Sequence, residues 1–255
     1  MKVLATYNIK GGVGKTTTAV NLAYLAAREG LRTLLWDLDP QGAATYLFRV
    51  KPRVKGGSHA LVSRGRPIEA ALKATDFENL DLLPADFSYR NMDLELDDTK
   101  KRTRRLGQLL DSVADEYDMV FLDCPPSISL VSENVMHACD TLLVPLIPAT
   151  LSLRTFDQLR RFVAESEKPR PEVVAFFSMA DRRKRLHRNV IDAIPRERSR
   201  VADTVIPALS IIEQMAERRA PVPAFAPTST AAQCYEQLWA EVTPWKDVPA
   251  AGPAT

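Results

Sequence analysis

The chain has 255 residues, 45% of them apolar, and a formal net charge of +2. It therefore has enough apolar side chains for a folded core, and it is not a polycation that binds nucleic acid through overall charge. Its three cysteines are widely spaced and form no C-x-x-C pair, which argues against a disulfide framework or a zinc site and favours a reducing cytoplasm. No stretch approaches the roughly 20 apolar residues of a membrane span.

Short β-rich runs alternate with helix-length segments along the chain. The expected strands are 2–7, 32–37, 80–84, 118–123, 140–147, 173–179 and 200–206. The expected helices are 16–29, 67–75, 104–116, 128–138, 152–167, 185–194 and 228–242, and the Pro-rich segment 216–227 is expected to be a loop. Several strands are almost continuously apolar, as in parallel strands covered on both faces. The alternation predicts an α/β fold, with a doubly wound, mainly parallel sheet flanked by helices.

We expect one domain over residues 1–243, because no segment of the sequence resembles a linker. Residues 244–255 carry three prolines and little to bury, so they are predicted to form a flexible tail.

The first expected strand is followed by NIKGGVGKTTTA, residues 8–19. A strand, a Gly-rich turn and a helix in this order form the usual setting of a phosphate-binding loop. Glycines allow the backbone to turn tightly and to point its N–H groups at phosphates, and the helix adds the positive end of its dipole. The usual pattern, G-x-x-x-x-G-K-[ST], requires a glycine where Ile9 stands. A second lysine, Lys10, follows that position.

Residues 10–17, KGGVGKTT, resemble the deviant Walker A motif of the ParA/MinD family of P-loop ATPases. The resemblance implies the P-loop NTPase fold, ATP and Mg²⁺ as cofactors, and slow, partner-stimulated ATP hydrolysis. It implies that Lys10 reaches across an ATP-sandwich homodimer to the phosphates of the partner subunit, much as an arginine finger does. The implied phosphate-site residues are Lys10, Gly11, Gly12, Val13, Gly14, Lys15, Thr16 and Thr17, with Lys10 and Lys15 catalytic and Thr16 a Mg²⁺ ligand.

Two further segments, LLWDLDPQGAAT (34–45) and MVFLDCPPS (119–127), place carboxylates directly after strands. Ligands bind at this carboxyl edge in open α/β folds. The resemblance implies that Asp39 orients or activates the attacking water, that Asp37 supports the Mg²⁺ shell, and that Asp123 holds Mg²⁺. Cys124 is interpreted as a small buried filler rather than a redox group.

Later segments carry weaker matches. Residues 144–159 resemble the strand and helix that line the family's dimer face, and residues 204–215 resemble its segment near the base. Met179 and Pro207 are the implied neighbours of the adenine. The family often has Asn or a similar polar residue near position 179, so the methionine there puts base selectivity in question.

Residues 182–200 are strongly basic, with eight Lys or Arg and two acids. Basic side chains at a helix N-terminus oppose the helix dipole, which favours a functional surface over a scaffold role. The predicted DNA contacts are Arg182, Arg183, Lys184, Arg185, Arg188, Arg196, Arg198, Arg200, Arg218 and Arg219. A second basic run, 49–66, fits a DNA surface, a partner contact or an exposed loop equally well.

The sequence thus predicts a ParA-type ATPase, cytoplasmic and nucleoid-associated, that partitions or positions a DNA or protein cargo. Its ATP-bound homodimer would bind DNA non-specifically, and a ParB-like or other adaptor protein would stimulate hydrolysis. One alternative is a membrane-cycling, MinD-like ATPase, which the Pro-rich C-terminal residues disfavour because they form no basic amphipathic helix. The other is an ATP-gated protein switch that does not bind DNA.

Overall fold

The computed structural model describes residues 1–63, 66–166, 170–193 and 201–243. The predicted tail, 244–255, lies outside these residues.

Within the described residues, eight strands form one sheet in the order β3-β4-β2-β5-β1-β6-β7-β8. The strands are β1 Lys2–Thr6, β2 Thr33–Asp37, β3 Lys73–Ala74, β4 Leu80–Leu83, β5 Met119–Asp123, β6 Thr141–Leu146, β7 Glu172–Ala180 and β8 Val201–Pro207. Neighbouring strands are parallel throughout, except that β3 pairs antiparallel with β4 at one edge. The predicted doubly wound, mainly parallel α/β sheet is therefore confirmed.

Helices cover both faces of the sheet. They are α1 Lys15–Arg28, α2 Ala43–Leu47, α3 Gly57–Val62, α4 Met92–Asp97, α5 Arg105–Asp111, α6 Leu130–Ala138, α7 Thr150–Glu165, α8 Arg185–Ala193, α9 Ser210–Glu213, α10 Met215–Arg218, α11 Val222–Phe225 and α12 Thr230–Val242, with 3₁₀ turns at Ile68–Ala71 and Phe87–Asn91. Within the described residues, none of these helices has both the length and the apolar composition needed to cross a membrane.

Two local predictions are wrong. The segment 67–75 is a 3₁₀ turn followed by β3, because the chain becomes extended at Leu72 and pairs its backbone with β4. That pairing satisfies N–H and C=O groups that would otherwise lie open at the sheet edge. The segment 216–227 contains α11 and the end of α10 rather than only loop. Its Pro223 lies in the first turn of α11, where a missing N–H costs no helix hydrogen bond.

Alternate residues of the central strands point to two separate cores. Leu34 and Trp36 enter one core together with residues of α4 to α7, whereas Leu35 enters the other core with residues of α1 and α12. All three side chains are fully buried. Both faces of the sheet are covered, and the strands β1, β2 and β5 end in the polar residues Thr6, Asp37 and Asp123, so the functional site is found at this carboxyl edge.

Candidate functional site

The carboxyl ends of three adjacent central strands bring the predicted acidic residues together. In the strand register, Thr6 of β1 and Asp37 of β2 both lie opposite Asp123, the last residue of β5. All three residues are fully buried. The loop between β1 and α1 leaves the same edge, so the phosphate-loop candidate and the carboxylates share one site.

The backbone of this loop requires glycine at position 14. Gly14 precedes the first residue of α1 with φ 94°, in the left-handed region. A Cβ at Gly14 would lie 2.7 Å from the Oγ atom of Ser178, so β7 packs directly against the loop. By contrast, a Cβ at Gly11 or Gly12 would meet no heavy atom within 4 Å. The loop is therefore closed towards the sheet at Gly14 and has open space beside Gly11 and Gly12.

The two lysines of the loop have different environments. Lys15 is 7% exposed, and its ammonium donates a hydrogen bond to the backbone oxygen of Lys10 at 3.0 Å. Burial lowers the pKa of Lys15, while the charges of Asp123, Cys124 and Asp39 act in the opposite direction. The Lys10 side chain is half-buried. Among the described residues, none pairs with its ammonium.

Asn8 holds the start of the loop, and sequence reasoning missed it. Its side-chain amide donates to the backbone oxygen of Pro145 at 2.8 Å and accepts from the backbone N–H of Lys10 at 2.9 Å. These bonds join the loop to β6. A buried Asn before a Gly-rich turn was the available signal, but its partner is 137 residues away along the chain.

Asp123 carries a buried oxygen without a partner. Its Oδ1 lies 3.5 Å from the Thr6 hydroxyl, and its Oδ2 has no hydrogen-bond partner among the described atoms. Burial raises the pKa of Asp123 well above its usual range, and the neighbouring Asp37 raises it further, against the Thr16 hydroxyl. Leaving a buried acceptor unpaired costs roughly 1–3 kcal/mol, so this oxygen is suited to a cation or a donor from a ligand.

These residues fit a magnesium ion that arrives with a nucleotide. The described residues contain no group of three or more His, Cys, Asp or Glu side chains that could hold a metal alone. Mg²⁺ is usually bound by one or two carboxylates together with substrate phosphates and water. The unpaired Asp123 oxygen and the nearby Thr16 hydroxyl match that pattern.

Asp37 and Asp39 are two residues apart, but they differ in burial and in their hydrogen-bond partners. Asp37 accepts hydrogen bonds from the backbone N–H and the hydroxyl of Thr45 at 2.8 and 2.7 Å, and from the Asp39 N–H at 3.3 Å. Burial raises its pKa to about 6. Asp39 is half-exposed, and its side chain accepts only the N–H of Gln41 among the described residues. Asp37 is thus satisfied by the protein, whereas the half-exposed Asp39 carboxylate accepts one hydrogen bond within its own turn among the described residues.

Met179 and Pro207, the residues predicted to lie beside the base, are at the ends of two neighbouring strands. Pro207 of β8 lies opposite Ala180 of β7, directly after Met179. Met179 is 43% exposed and has φ 53°, a left-handed conformation that costs a non-glycine residue roughly 1–2 kcal/mol. Asn adopts this conformation more readily than Met does, so the backbone suits the asparagine that the resemblance leads us to expect near this position.

Cys124, directly after Asp123, is 1% exposed and belongs to the core. Burial raises the pKa of its thiol well above the ordinary value, so the thiolate that redox chemistry needs is disfavoured.

The basic residues predicted to bind DNA fall into separate groups. Those at the start of α8 are all exposed: Arg182, Arg183, Lys184, Arg185 and Arg188. Arg183 pairs with Asp181 at 3.0 Å. The predicted contacts Arg196, Arg198 and Arg200 lie outside the described residues.

Arg218 and Arg219 lie instead against α2 and against Arg49, the first residue of the basic run 49–66. The Arg219 Nε donates to the backbone oxygen of Tyr46 at 2.9 Å, and its guanidinium lies 4.5 Å from the centre of the Tyr46 ring. The Arg49 guanidinium donates to the Arg218 oxygen at 3.0 Å. Arg218 and Arg219 therefore join the segment after β8 to α2 and to the residue Arg49 that follows it.

Comparisons with known proteins agree with this geometry. A family model described as an AAA domain matches residues 1–173. The sporulation initiation inhibitor protein Soj of Bacillus subtilis (strain 168) is 34% identical over 247 residues, which are 94% of this chain and 98% of that protein. The chromosome partitioning protein ParA of Caulobacter vibrioides (strain NA1000 / CB15N) is 34% identical over 250 residues, 95% of this chain and 94% of that protein.

A solved structure is also similar over nearly the whole chain. Cobyrinic acid a,c-diamide synthase from Mycobacterium smegmatis, with a bound ATP analog and magnesium, superposes with a TM-score of 0.82 at 29% identity and covers 96% of each chain. Taken together with the two-lysine phosphate loop and the carboxylates beside it, these matches show that the chain belongs to the ParA/MinD family of P-loop ATPases.

Proposed function

We propose that this protein is a partition or positioning ATPase whose ATP-bound homodimer binds DNA without sequence preference. The observation that carries the proposal is the pair of lysines in one phosphate loop. The Lys15 ammonium lies inside the loop against the Lys10 carbonyl. The Lys10 ammonium has no partner among the described residues and is free to contact a second subunit.

Each site residue has a task in this proposal. The N–H groups of residues 11–17 and the Lys15 ammonium bind the phosphates, and Thr16 and Asp123 hold Mg²⁺, with Asp37 behind them. Bound Mg²⁺ supplies positive charge to the β- and γ-phosphates. Asp39, whose side chain is half-exposed, orients the attacking water.

Lys10 would act on the phosphates of the partner subunit. A cation supplied in trans stabilises the charge on the transferring phosphoryl group, an effect worth roughly 10³–10⁵ in rate for arginine fingers. The same contact makes ATP part of the dimer interface. Hydrolysis would therefore separate the subunits and release DNA.

Relatives and surface charge support the biological role. Soj and ParA, each 34% identical, are named for sporulation control and chromosome partitioning. The exposed cations at the start of α8 are available for DNA phosphates. By the same likeness, a ParB-like adaptor with a basic N-terminal segment would stimulate hydrolysis, and the protein would associate with the nucleoid.

The trans-lysine part is tested with Lys10→Ala and Lys15→Ala, with Lys73→Ala as the control because Lys73 is an exposed lysine at the sheet edge. ATP turnover and the ATP-dependent mass by light scattering are measured. We expect Lys15→Ala to lose ATP binding, Lys10→Ala to lose dimerisation and turnover but to keep ATP binding, and Lys73→Ala to match the wild type. An Lys10→Ala protein that dimerises and hydrolyses ATP normally would refute the mechanism.

DNA binding is tested by gel shift on random-sequence DNA with ATP and Mg²⁺ over a range of salt concentrations. The double variant Arg182→Glu/Arg185→Glu should weaken binding and flatten its salt dependence, because fewer phosphate counterions are released. The control Lys100→Glu/Lys101→Glu removes the same charge elsewhere. If the wild type shows no salt-sensitive binding, the protein-switch alternative is favoured. ATP-dependent flotation with liposomes would favour the membrane-cycling alternative.

A further inference from the structure

We propose that Thr45 is a positioning residue for hydrolysis: its buried hydroxyl braces the Asp39 loop against the end of β4. This role rests on the ATPase function proposed above.

The hydroxyl of Thr45 belongs to a hydrogen-bond network that connects Asp37 with Ala85. Thr45 is fully buried in α2. Its hydroxyl and its backbone N–H both donate to Oδ2 of Asp37, at 2.7 and 2.8 Å. The other oxygen of Asp37 accepts the Asp39 N–H at 3.3 Å. One carboxylate therefore joins both ends of the segment 39–45.

The same hydroxyl is also an acceptor. The backbone N–H of Ala85 donates to it at 2.8 Å, and Ala85 is fully buried two residues after β4. The next residue, Asp86, accepts the N–H groups of Val54 and Ser88 at 2.8 and 2.9 Å. In the sheet, β4 lies beside β2 on the side opposite to β5. The hydrogen bond from Ala85 therefore holds the loop after β2 from the side opposite to Asp123.

Asp39 depends on this brace because its local contacts are few. Its side chain accepts the Gln41 N–H at 3.0 Å, and its backbone oxygen accepts the Gly42 N–H at 2.9 Å. Both contacts lie within the turn and move with it. A carboxylate that aims a water molecule must be held to about 0.5 Å, and a displacement of 1 Å can cost roughly 10²-fold in rate.

Removing the Thr45 hydroxyl would break two hydrogen bonds that hold the loop. Asp37 would lose one of the two donors to its Oδ2, and the buried Ala85 N–H would lose its acceptor. None of these atoms belongs to the phosphate loop. Nucleotide affinity should therefore be kept while the hydrolytic step slows.

The test compares Thr45→Val, which keeps the shape but has no hydroxyl, with Thr45→Ser, which keeps the hydroxyl. The matched control is Thr75→Val, because the Thr75 hydroxyl also bridges backbone groups, donating to Leu80 at 2.7 Å and accepting from Phe77 at 3.1 Å. Thr75 lies before the first residue of β4, whereas Ala85 follows its last residue. For each variant, kcat and KM for ATP, the Kd of a fluorescent ATP analogue and Tm are measured.

We expect Thr45→Val to lower kcat about 10- to 100-fold with KM and Kd within about threefold of the wild type. Thr45→Ser should keep kcat within about threefold, and Thr75→Val should lower Tm without lowering kcat. An unchanged kcat in Thr45→Val, a loss that follows Kd, or an equal loss in Thr75→Val would overturn the positioning role. If Thr45→Val does not fold, Thr45→Ala is judged by the same criteria. Absence of hydrolysis by the wild-type protein would instead refute the proposed function, and this role with it.

Discussion

The two buried carboxylates at the ends of β2 and β5 predict that the nucleotide-free protein becomes more stable when the pH falls from about 7.5 to about 5.0. Burial raises the pKa of Asp37 from 3.8 to about 6 and raises that of Asp123 well above its usual range. An acid with a raised pKa in the folded state binds its proton more tightly there than in the unfolded chain. Its contribution to stability is complete below the unfolded pKa and is lost as the pH rises through the folded one.

The size of the effect follows from Asp37. A change from 3.8 to about 6 corresponds to about 3 kcal/mol over the full titration. Between pH 7.5 and 5.0, about 1 kcal/mol of this is recovered. Asp37 also raises the pKa of Asp123, so removing Asp37 takes away part of the Asp123 contribution as well. Asp118 has a lowered pKa through its hydrogen bond with Arg32, so it loses stabilisation only at more acidic pH.

The assay is urea unfolding across this pH range without Mg²⁺ or nucleotide, followed by the fluorescence of the buried Trp36 and Trp239. Wild type is compared with Asp37→Asn, so that groups common to both proteins cancel. We expect the wild type to gain about 1 kcal/mol more than the variant on acidification, and the control Asp118→Asn to gain as much as the wild type. An equal or smaller gain in the wild type than in Asp37→Asn would refute the reasoning.

Three further substitutions test single contacts. Gly14→Ala should lower the free energy of unfolding in urea by about 2–4 kcal/mol, since φ at Gly14 is 94° and the new Cβ would lie 2.7 Å from the Ser178 hydroxyl oxygen. Adding Ser178→Ala should restore only the steric part of this loss. Full restoration would contradict the argument from backbone conformation. Met179→Asn should raise Tm by about 2–4 °C in calorimetry because Asn tolerates φ 53°, whereas an unchanged or lower Tm would argue against strain there. Arg219→Ala should lower the free energy of unfolding by about 1 kcal/mol, because the hydrogen bond and the ring contact with Tyr46 are lost. Arg219→Lys should not recover this stability, because lysine lacks the planar guanidinium. Full recovery in Arg219→Lys would count against this contact.

The long elements could be predicted from the sequence because their signals are local. Continuous apolar runs such as 118–123 and 140–147 are typical of parallel strands, and β5 and β6 lie there. The short helices α2 to α4 and α9 to α11 were missed, because a helix of four to six residues is not stable by itself and forms only when it packs on the rest of the fold. The wrong helix at 67–75 has the same cause, since the open edge of β4 decides the conformation of that segment.

The sequence by itself determined the phosphate loop and the positions of the strand-end carboxylates. Loop geometry depends on consecutive residues, 10–17, and the end of a parallel strand is visible as the end of an apolar run. Only the tertiary structure decided what each carboxylate does: Asp37 is satisfied by Thr45, while Asp123 keeps an unpaired oxygen. It also brought Ser178 against Gly14 and the Ala85 N–H onto the Thr45 hydroxyl. These contacts depend on strand order and register between distant segments, which local sequence patterns do not encode.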